Sequence, residues 1–216
     1  MHPSLSPTAA RAVVEAIRQQ FYTRHAAGAE SPELQAELAN VLALLAQVDF
    51  SRVDADCLKR SGHPVVHQLS ALPATPEHSR AQTTDTLFAT VRPHLDALPW
   101  RYSYEPRPDA PDIGARMAWA ELVGPIAPFR STRVCLGLTA IGAHLEYPLH
   151  YHPAVETYLV IFGTAAWTAE DHTRRQPPGT LILHPSNLVH AMETAGEPLL
   201  AAYAWSGDVE TLSAYV

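Results

Sequence analysis

The second half of the chain consists of short β-rich runs that glycine and proline residues separate, and this pattern constrains the fold more than any other feature. Apolar residues alternate with a period of two in residues 134–140 and again in residues 199–205. Such alternation is typical of strands, and no helical pattern lies between the runs. The sequence therefore predicts an antiparallel sandwich or barrel and argues against a parallel α/β sheet.

The first part of the chain has the pattern of helices. Ser-Pro pairs at residues 6–7 and 31–32 are typical helix starts, in which the serine caps the helix and the proline occupies its first turn. A third helix is predicted to begin near residue 75 and to end or kink at Pro93. Apolar stripes at helical spacing follow the first two starts, at Ala10, Val13, Val14, Ile17 and Phe21 and at Leu34, Leu38, Val41, Leu42 and Leu45. We therefore predict a helical region over residues 1–99 that packs on a β-domain over residues 100–216.

Composition narrows the classes of partner. The chain has 216 residues with a formal net charge of −7 at pH 7 and an isoelectric point near 5.9, and it has no run rich in Lys or Arg. These values argue against binding to nucleic acid, and the lack of a long apolar run argues against a membrane span. Cys57 and Cys135 lie far apart, so no disulfide framework is indicated. We expect a cytoplasmic monomer or homodimer that acts on a small-molecule substrate.

Three histidines and a glutamate form the pattern with the most chemical content. His150, His152 and Glu156 are spaced H-x-H-x-x-x-E, and His190 follows a second β-rich run. Neutral imidazoles with one carboxylate make a site for one divalent first-row transition metal ion. This ligand set leaves the identity of the metal open among Zn, Fe, Mn, Ni and Co.

Strand geometry explains the spacing of these ligands. Side chains at i and i+2 of a strand point to the same face, so His150 and His152 point the same way. After a bend at Pro153, residues 155–162 are predicted as a strand on which Glu156 and Tyr158 share a face. Residues 180–183 are predicted as another strand, followed by a turn that leads to His190. Two neighbouring hairpins can thus surround one metal ion.

The remaining histidines are interpreted more simply. His144 and His184 lie near the motif, and we interpret them as solvated turn residues, with the orientation of a metal ligand as the alternative. The others are interpreted as surface or ordinary hydrogen-bonded residues: His2, His25, His63, His67, His78, His94 and His172.

These residues resemble the cupin superfamily. The first cupin motif is matched by Gly142, His150, His152, Glu156 and Gly163, with a slightly different spacing from glycine to histidine, and the second by Gly179, Pro185 and His190. Residues 147–158 are similar to the cupin-type dimethylsulfoniopropionate lyases, including both flanking tyrosines. The resemblance implies a mainly β fold, a cupin-like antiparallel β-barrel of jelly-roll type with an N-terminal α-helical subdomain.

The same resemblance implies a carbon–sulfur lyase. Its members cleave dimethylsulfoniopropionate into dimethyl sulfide and acrylate by β-elimination, with a metal that binds the substrate carboxylate and a tyrosine as the base. Tyr158, which shares a strand face with Glu156, is the leading candidate for the base, and Tyr147 is the alternative. Tyr203 and Trp205 are candidates for an aromatic wall around the sulfonium, ahead of Trp167.

Three other functions stay open at this point. A cupin dioxygenase that uses ferrous iron could have the same ligand set. A lyase-like cupin could act on another substrate, and a binding module could hold a metal or small ligand without turnover.

Overall fold

A computed structural model describes residues 4–59, 62–70, 72, 84–105, 108 and 110–216 of the chain. The helices are α1 (Pro7–Ala27), α2 (Pro32–Leu45), α3 (Val66–Ser70), α4 (Asp85–Val91) and α5 (Ile113–Arg116), with short 3-10 turns at Ala55–Leu58 and Arg92–His94. The strands are β1 (Met117–Gly124), β2 (Phe129–Arg130), β3 (Val134–Ile141), β4 (Glu146–Tyr151), β5 (Val155–Phe162), β6 (Ala165–Ala169), β7 (His172–Gln176), β8 (Leu181–His184), β9 (His190–Thr194), β10 (Leu199–Ser206) and β11 (Ala214–Tyr215).

The first two helices begin where the Ser-Pro pairs predict. The Ser6 hydroxyl accepts a hydrogen bond from the Ala9 amide at 3.1 Å, and the Ser31 hydroxyl accepts one from the Leu34 amide at 3.3 Å. Gly28 ends α1 with a φ of 65°, the left-handed conformation that glycine adopts without strain. The predicted apolar stripes are buried, except that Leu42 is only partly buried.

The third predicted helix is confirmed only in its second half. Its predicted start near residue 75 lies outside the described residues, and α4 covers Asp85–Val91. Pro93 lies in the 3-10 turn that follows directly, so the proline ends the α-helix as predicted.

Two sheets face each other in the second half of the chain. The six-stranded sheet has the order β2-β1-β3-β10-β5-β8, and the five-stranded sheet has the order β11-β4-β9-β6-β7. Neighbouring strands are antiparallel except for the short pair β1 and β2. The fold is therefore the predicted mainly β, cupin-type jelly roll with helices at its N-terminus, although in the described chain the two sheets stay open instead of joining into one closed ring.

Strand alternation places two apolar layers on the six-stranded sheet. Its outer face carries Ala120, Leu136 and Leu138, which pack with α1, α2 and α4 in one continuous core. Its inner face carries Cys135, Tyr158 and other residues that pack between the two sheets. One sheet is thus sandwiched between the helices and the second sheet.

Two further observations bear on the predicted class of protein. Within the described residues no helix is both long and apolar enough to cross a membrane. Cys57 is half-buried and Cys135 is buried, and both are free thiols, which agrees with the expectation of no disulfide.

The shared core leads us to predict that the helical region and the β-domain unfold together. Leu38 in α2 is fully buried against this core, so Leu38→Ala should lower the free energy of unfolding by about 2–5 kcal/mol. All four tryptophans lie at or beyond residue 100, so tryptophan fluorescence reports on the β-domain and helical circular dichroism mainly on the N-terminal region. In urea titrations both signals should shift to the same lower midpoint, whereas Tyr22→Ala, at a 56 % exposed side chain, should change neither. Separate midpoints would contradict a single folding unit.

Candidate metal centre

The four predicted metal ligands converge between the two sheets. His150 lies near the end of β4, His152 in the loop that follows, Glu156 in β5, and His190 at the start of β9. All four side chains are buried, with at most 2 % of their surface exposed. The two predicted hairpins therefore bring the motif residues to one place.

Three of these residues have the spacing of a metal site. His152 Nε2 lies 2.9 Å from Glu156 Oε2, and His190 Nε2 lies 3.5 Å from the same oxygen. The donor atoms of the three residues all lie within 4.8 Å of one another. An ion bound at about 2.0–2.2 Å from each atom requires donor atoms that are about 3–4 Å apart. The three residues therefore fit one first-row divalent ion.

His150 lies beside this group. Its ring centroid is 4.0 Å from that of His190 but 6.4 Å from that of His152. Among the described residues it is not part of the group whose donor atoms all lie within 4.8 Å. Its role as the fourth ligand therefore stays a prediction.

Backbone carbonyls orient the imidazoles. His150 and His190 each place Nδ1 2.8 Å from the carbonyl oxygen two residues earlier, and His152 places Nδ1 3.0 Å from the one two residues later. A carbonyl oxygen only accepts, so each neutral ring carries its proton on Nδ1 and presents the Nε2 lone pair. This is the tautomer that a metal bound through Nε2 requires.

The carboxylate of Glu156 is held by neighbours on both adjacent strands. In the register of the six-stranded sheet, Glu156 of β5 lies opposite Trp205 of β10 on one side and His184 of β8 on the other. Trp205 Nε1 donates to Oε1 at 2.6 Å, and His184 Nδ1 lies 3.5 Å from Oε2. The oxygen Oε2 therefore faces His152 and His190, while Oε1 is occupied by the indole.

Histidines also control the ionisation of this carboxylate. Burial on its own raises the pKa of Glu156, but the charge and hydrogen bond of His152, with the nearby imidazoles of His184 and His190, hold the pKa well below its ordinary value. Burial on its own lowers the pKa of His152, but Glu156 outweighs it and the pKa is raised. Burial lowers the pKa of His150 well below its ordinary value. The site therefore holds an ionised carboxylate that requires a positive charge next to it.

Unpaired nitrogens provide a second indication of a ligand. The Nε2 atoms of His190 and His184 are buried and have no hydrogen-bond partner within the described part of the protein. A buried polar atom without a partner is costly, and a bound metal ion would pair with His190 Nε2. The residues present therefore fit the ion that the sequence predicts.

A cavity of about 800 Å³ opens next to the centre. Glu156 lines it, together with Tyr158, Tyr147, Tyr203 and Trp205. The leading catalytic and substrate-binding candidates from the sequence thus line one cavity, and Glu156 connects that cavity to the candidate metal centre. Trp167, the weaker aromatic candidate, packs edge-on against Tyr158 at 5.2 Å.

The two candidate bases have different surroundings. Tyr158 interacts with the Glu156 carboxylate and the Thr139 hydroxyl, and burial followed by the charge of Glu156 raises its pKa well above the ordinary value. Tyr147 stacks on His150 at 3.8 Å, and its hydroxyl makes a short hydrogen bond with that of Tyr104. Tyr158 is therefore close to the candidate metal-binding carboxylate, whereas the hydroxyl of Tyr147 forms a hydrogen bond with Tyr104.

The two candidates for the sulfonium wall also differ from each other. Tyr203 lies in register with Tyr158, with ring centroids 6.4 Å apart. Trp205 stacks on His152 at 4.3 Å and donates to Glu156, so it contacts two candidate metal ligands in addition to lining the cavity. The sequence predicted only its place in the cavity wall and did not predict its contacts with His152 and Glu156.

Several cavity residues were missed from the sequence. Tyr104, Trp119 and Tyr215 form an aromatic cluster with centroid distances of 5.6 Å between Tyr104 and Trp119 and 4.5 Å between Tyr104 and Tyr215. Strand parity could have placed Trp119 on the inner face, but Tyr215 is more than 100 residues from its ring partner Tyr104.

The interpretation of His184 as a solvated turn residue is wrong, because its side chain is 1 % exposed and lies against Glu156. His144 is exposed, as expected.

The geometry predicts that a divalent ion stabilises the fold through His190. Zinc at 100 times its dissociation constant should stabilise the protein by about 2.7 kcal/mol, which raises the melting temperature by about 5–10 °C for a chain of this size. A chelator should reverse the shift, and His190→Ala should abolish it in thermal melts with and without zinc. His172→Ala, at a histidine on the exposed strand β7, is the matched control and should keep the full shift. An equal shift in His190→Ala would contradict the assignment of the centre.

Comparison with known proteins agrees with this geometry. The family model for dimethylsulfoniopropionate lyase matches residues 35–201. The dimethylsulfoniopropionate lyase DddQ of Ruegeria pomeroyi is 35% identical over 144 residues, which cover 64% of this chain and 72% of that protein. The putative dimethylsulfoniopropionate lyase DddL of Cereibacter sphaeroides is 36% identical over 118 residues, which cover 54% of this chain and 49% of that protein.

Solved structures show the same fold. The crystal structure of DMSP lyase DddQ from Ruegeria pomeroyi superposes with a TM-score of 0.68 at 27% identity, over 94% of this chain and 96% of that one. A structure reported with the DMSP lyases RdDddP and RnDddQII superposes with a TM-score of 0.72 at 23% identity, over 98% of this chain and 100% of that one. The chain therefore belongs to the dimethylsulfoniopropionate lyase family, a family of carbon–sulfur lyases.

Proposed function

We propose that this protein is a metal-dependent lyase that cleaves dimethylsulfoniopropionate into dimethyl sulfide and acrylate. One observation carries the proposal: a buried carboxylate that faces two imidazoles also lines the cavity in which Tyr158 lies. A metal-binding group and a candidate base are thus two residues apart on one face of β5. Membership of the lyase family supports the choice of substrate.

The reaction requires a base and a way to hold the substrate carboxylate. The base removes a proton from the carbon next to the carboxylate, the electron pair of that C–H bond forms the carbon–carbon double bond, and the carbon–sulfur bond breaks with its electrons left on sulfur. The products are neutral dimethyl sulfide and acrylate, and the proton stays on the base. Atoms and charges balance without an oxidant.

We propose that His152, Glu156 and His190 hold the ion, with His150 as the fourth ligand. When bound, a divalent ion supplies Lewis-acid chemistry at the substrate carboxylate, which makes the neighbouring proton more acidic and requires no redox change. The fixed Nδ1 protons of the histidines and the indole bond to Glu156 hold these donor atoms in place before an ion arrives. The identity of the ion is open.

Tyr158, as the phenolate, is the proposed base. Burial and the charge of Glu156 raise its pKa, and a divalent ion beside Glu156 would offset that charge and favour the phenolate. The ring of Tyr158 lines the cavity beside Glu156, so its phenol oxygen is positioned to reach a substrate whose carboxylate lies at the metal centre. Tyr147 is the alternative, but its hydroxyl already pairs with Tyr104. This pairing supports a positioning role for Tyr147 in the wall of the cavity.

Tyr203 and Trp205 are the proposed wall for the sulfonium group. Aromatic faces attract a methylated cation by about 0.5–2 kcal/mol each, depending on how far the cation is desolvated. Both rings line the cavity, and the ring centroid of Tyr203 lies 6.4 Å from that of Tyr158 and 6.4 Å from that of Trp205. A substrate with its carboxylate at the metal centre would therefore place its sulfonium against aromatic surface.

The direct test of the activity is an assay of product release. Purified protein loaded separately with Zn, Fe, Mn, Ni or Co ions should release dimethyl sulfide and acrylate in equal amounts from dimethylsulfoniopropionate, and chelated protein should not. Oxygen consumption without dimethyl sulfide would support a dioxygenase instead. Tight binding of the metal without any turnover would support a binding module, and no product with all of these metals would overturn the proposal.

Substitution of the two tyrosines tests the base. Tyr158→Phe should lower the rate of dimethyl sulfide release by about 10²–10⁴-fold, because general base catalysis contributes this much, and should leave metal content unchanged. Tyr147→Phe should lower the rate of dimethyl sulfide release by a smaller factor. Tyr151→Phe, at a 38 % exposed tyrosine of β4, is the matched control and should match the parent. Full activity of Tyr158→Phe with bound metal would remove Tyr158 as the base.

A further inference from the structure

His184 lies at the candidate metal centre although it is not one of the four predicted ligands. It is the last residue of β8, and the pairing of β8 with β5 places it directly opposite Glu156. Its side chain is 1 % exposed, and its ring centroid lies 3.8 Å from that of His190. A buried polar ring in this position requires an explanation, because burial of an imidazole without a role costs free energy.

The contacts of His184 point to the carboxylate. Its Nδ1 lies 3.5 Å from Glu156 Oε2, the oxygen that faces His152 and His190, and Trp205 donates to the other oxygen from the opposite strand. Glu156 is thus held between two nitrogen-bearing rings that the sheet register places on either side of it. Two such contacts fix both the position and the rotation of a carboxylate.

We propose that His184 is a positioning residue of the metal centre, which donates its Nδ1 proton to Glu156 Oε2 and holds that oxygen towards His152 and His190 without binding the ion. The proposal rests on the metal centre of the proposed function. It adds a residue that the ligand motif does not contain and assigns it a separate task.

The arrangement of donor atoms separates a positioning role from a ligand role. Within the described residues, the group of atoms that lie within 4.8 Å of one another comprises His152, Glu156 and His190, and His184 is outside it. When Nδ1 donates to Glu156, Nε2 lies on the far side of the ring and points away from the carboxylate.

Two substitutions at His184 test the proposal. His184→Leu removes the donor, and His184→Asn keeps an amide nitrogen close to the position of Nδ1. We expect His184→Leu to bind zinc about 10–100-fold more weakly than the parent, at one ion per chain, because residues that orient ligands contribute this much to metal affinity. We expect the zinc affinity of His184→Asn to stay close to that of the parent. Competition with a chromophoric chelator measures both quantities, and His172→Leu at the exposed strand β7 is the control.

A second measurement requires only the parent protein, so the test holds even if His184→Leu fails to fold. In nitrogen-15-labelled parent loaded with an NMR-active cadmium isotope, coupling between cadmium and nitrogen should appear at the Nε2 atoms of the proposed ligands His150, His152 and His190 and not at His184. Coupling at His184 would make it a ligand and overturn the proposal, as would parental zinc affinity in a folded His184→Leu. Either result would leave metal binding and dimethyl sulfide release by the parent intact, whereas a parent that binds no divalent ion would overturn the proposed function and this inference together.

Discussion

The buried carboxylate of Glu156 is the group on which the arrangement of the inner layer depends. An ionised carboxylate away from water costs several kcal/mol unless charges and hydrogen bonds compensate it. Here the indole of Trp205 and the imidazoles of His152, His184 and His190 all direct nitrogens at its two oxygens. Three of these four nitrogens converge on one oxygen, which is the position where a cation gains most. The residues around Glu156 therefore form a favourable arrangement only when a positive charge lies among them.

Sheet register is what brings this set together. Trp205, Glu156 and His184 occupy one row across three adjacent strands, so a shift of one residue in either pairing would turn one of these side chains to the helical side of the sheet. Gly163 contributes at the end of β5, because its φ is 78° and a β-carbon there would lie 2.1 Å from the Pro198 carbonyl oxygen. A larger residue at this turn would push the backbone of β5 away from that of Pro198 and Leu199, at the start of β10. This explains in physical terms why a glycine follows the strand that carries the ligand.

The alternation and spacing of residues along the chain were enough to predict the strands and the ligand motif. They were not enough to predict which residues of neighbouring strands contact one another. The prediction for residues 155–162 coincides with β5, and parity placed Glu156 and Tyr158 on one face, since both follow from alternation within a single strand. The positions of His184 and Trp205 around Glu156 depend on which strands lie beside β5, and no local signal specifies that choice. The same limit applies to Tyr102 and Tyr215, whose hydroxyls meet at 2.9 Å across 113 residues. The sequence therefore predicted the candidate ligands and base, whereas the residues that contact them could be identified only from the tertiary structure.

The proposed reaction also implies a division of labour within the cavity. A sulfonium loses its positive charge as the carbon–sulfur bond breaks, so its attraction to the proposed aromatic wall of Tyr203 and Trp205 would weaken towards the transition state. Contacts that are stronger in the ground state improve substrate binding and selectivity but do not accelerate the chemical step. Negative charge, in contrast, builds up at the carboxylate end as the proton leaves, next to Glu156 and its histidines. In the proposed reaction the acceleration therefore arises at that end, where Tyr158 lies beside the hydrogen-bonded carboxylate of Glu156.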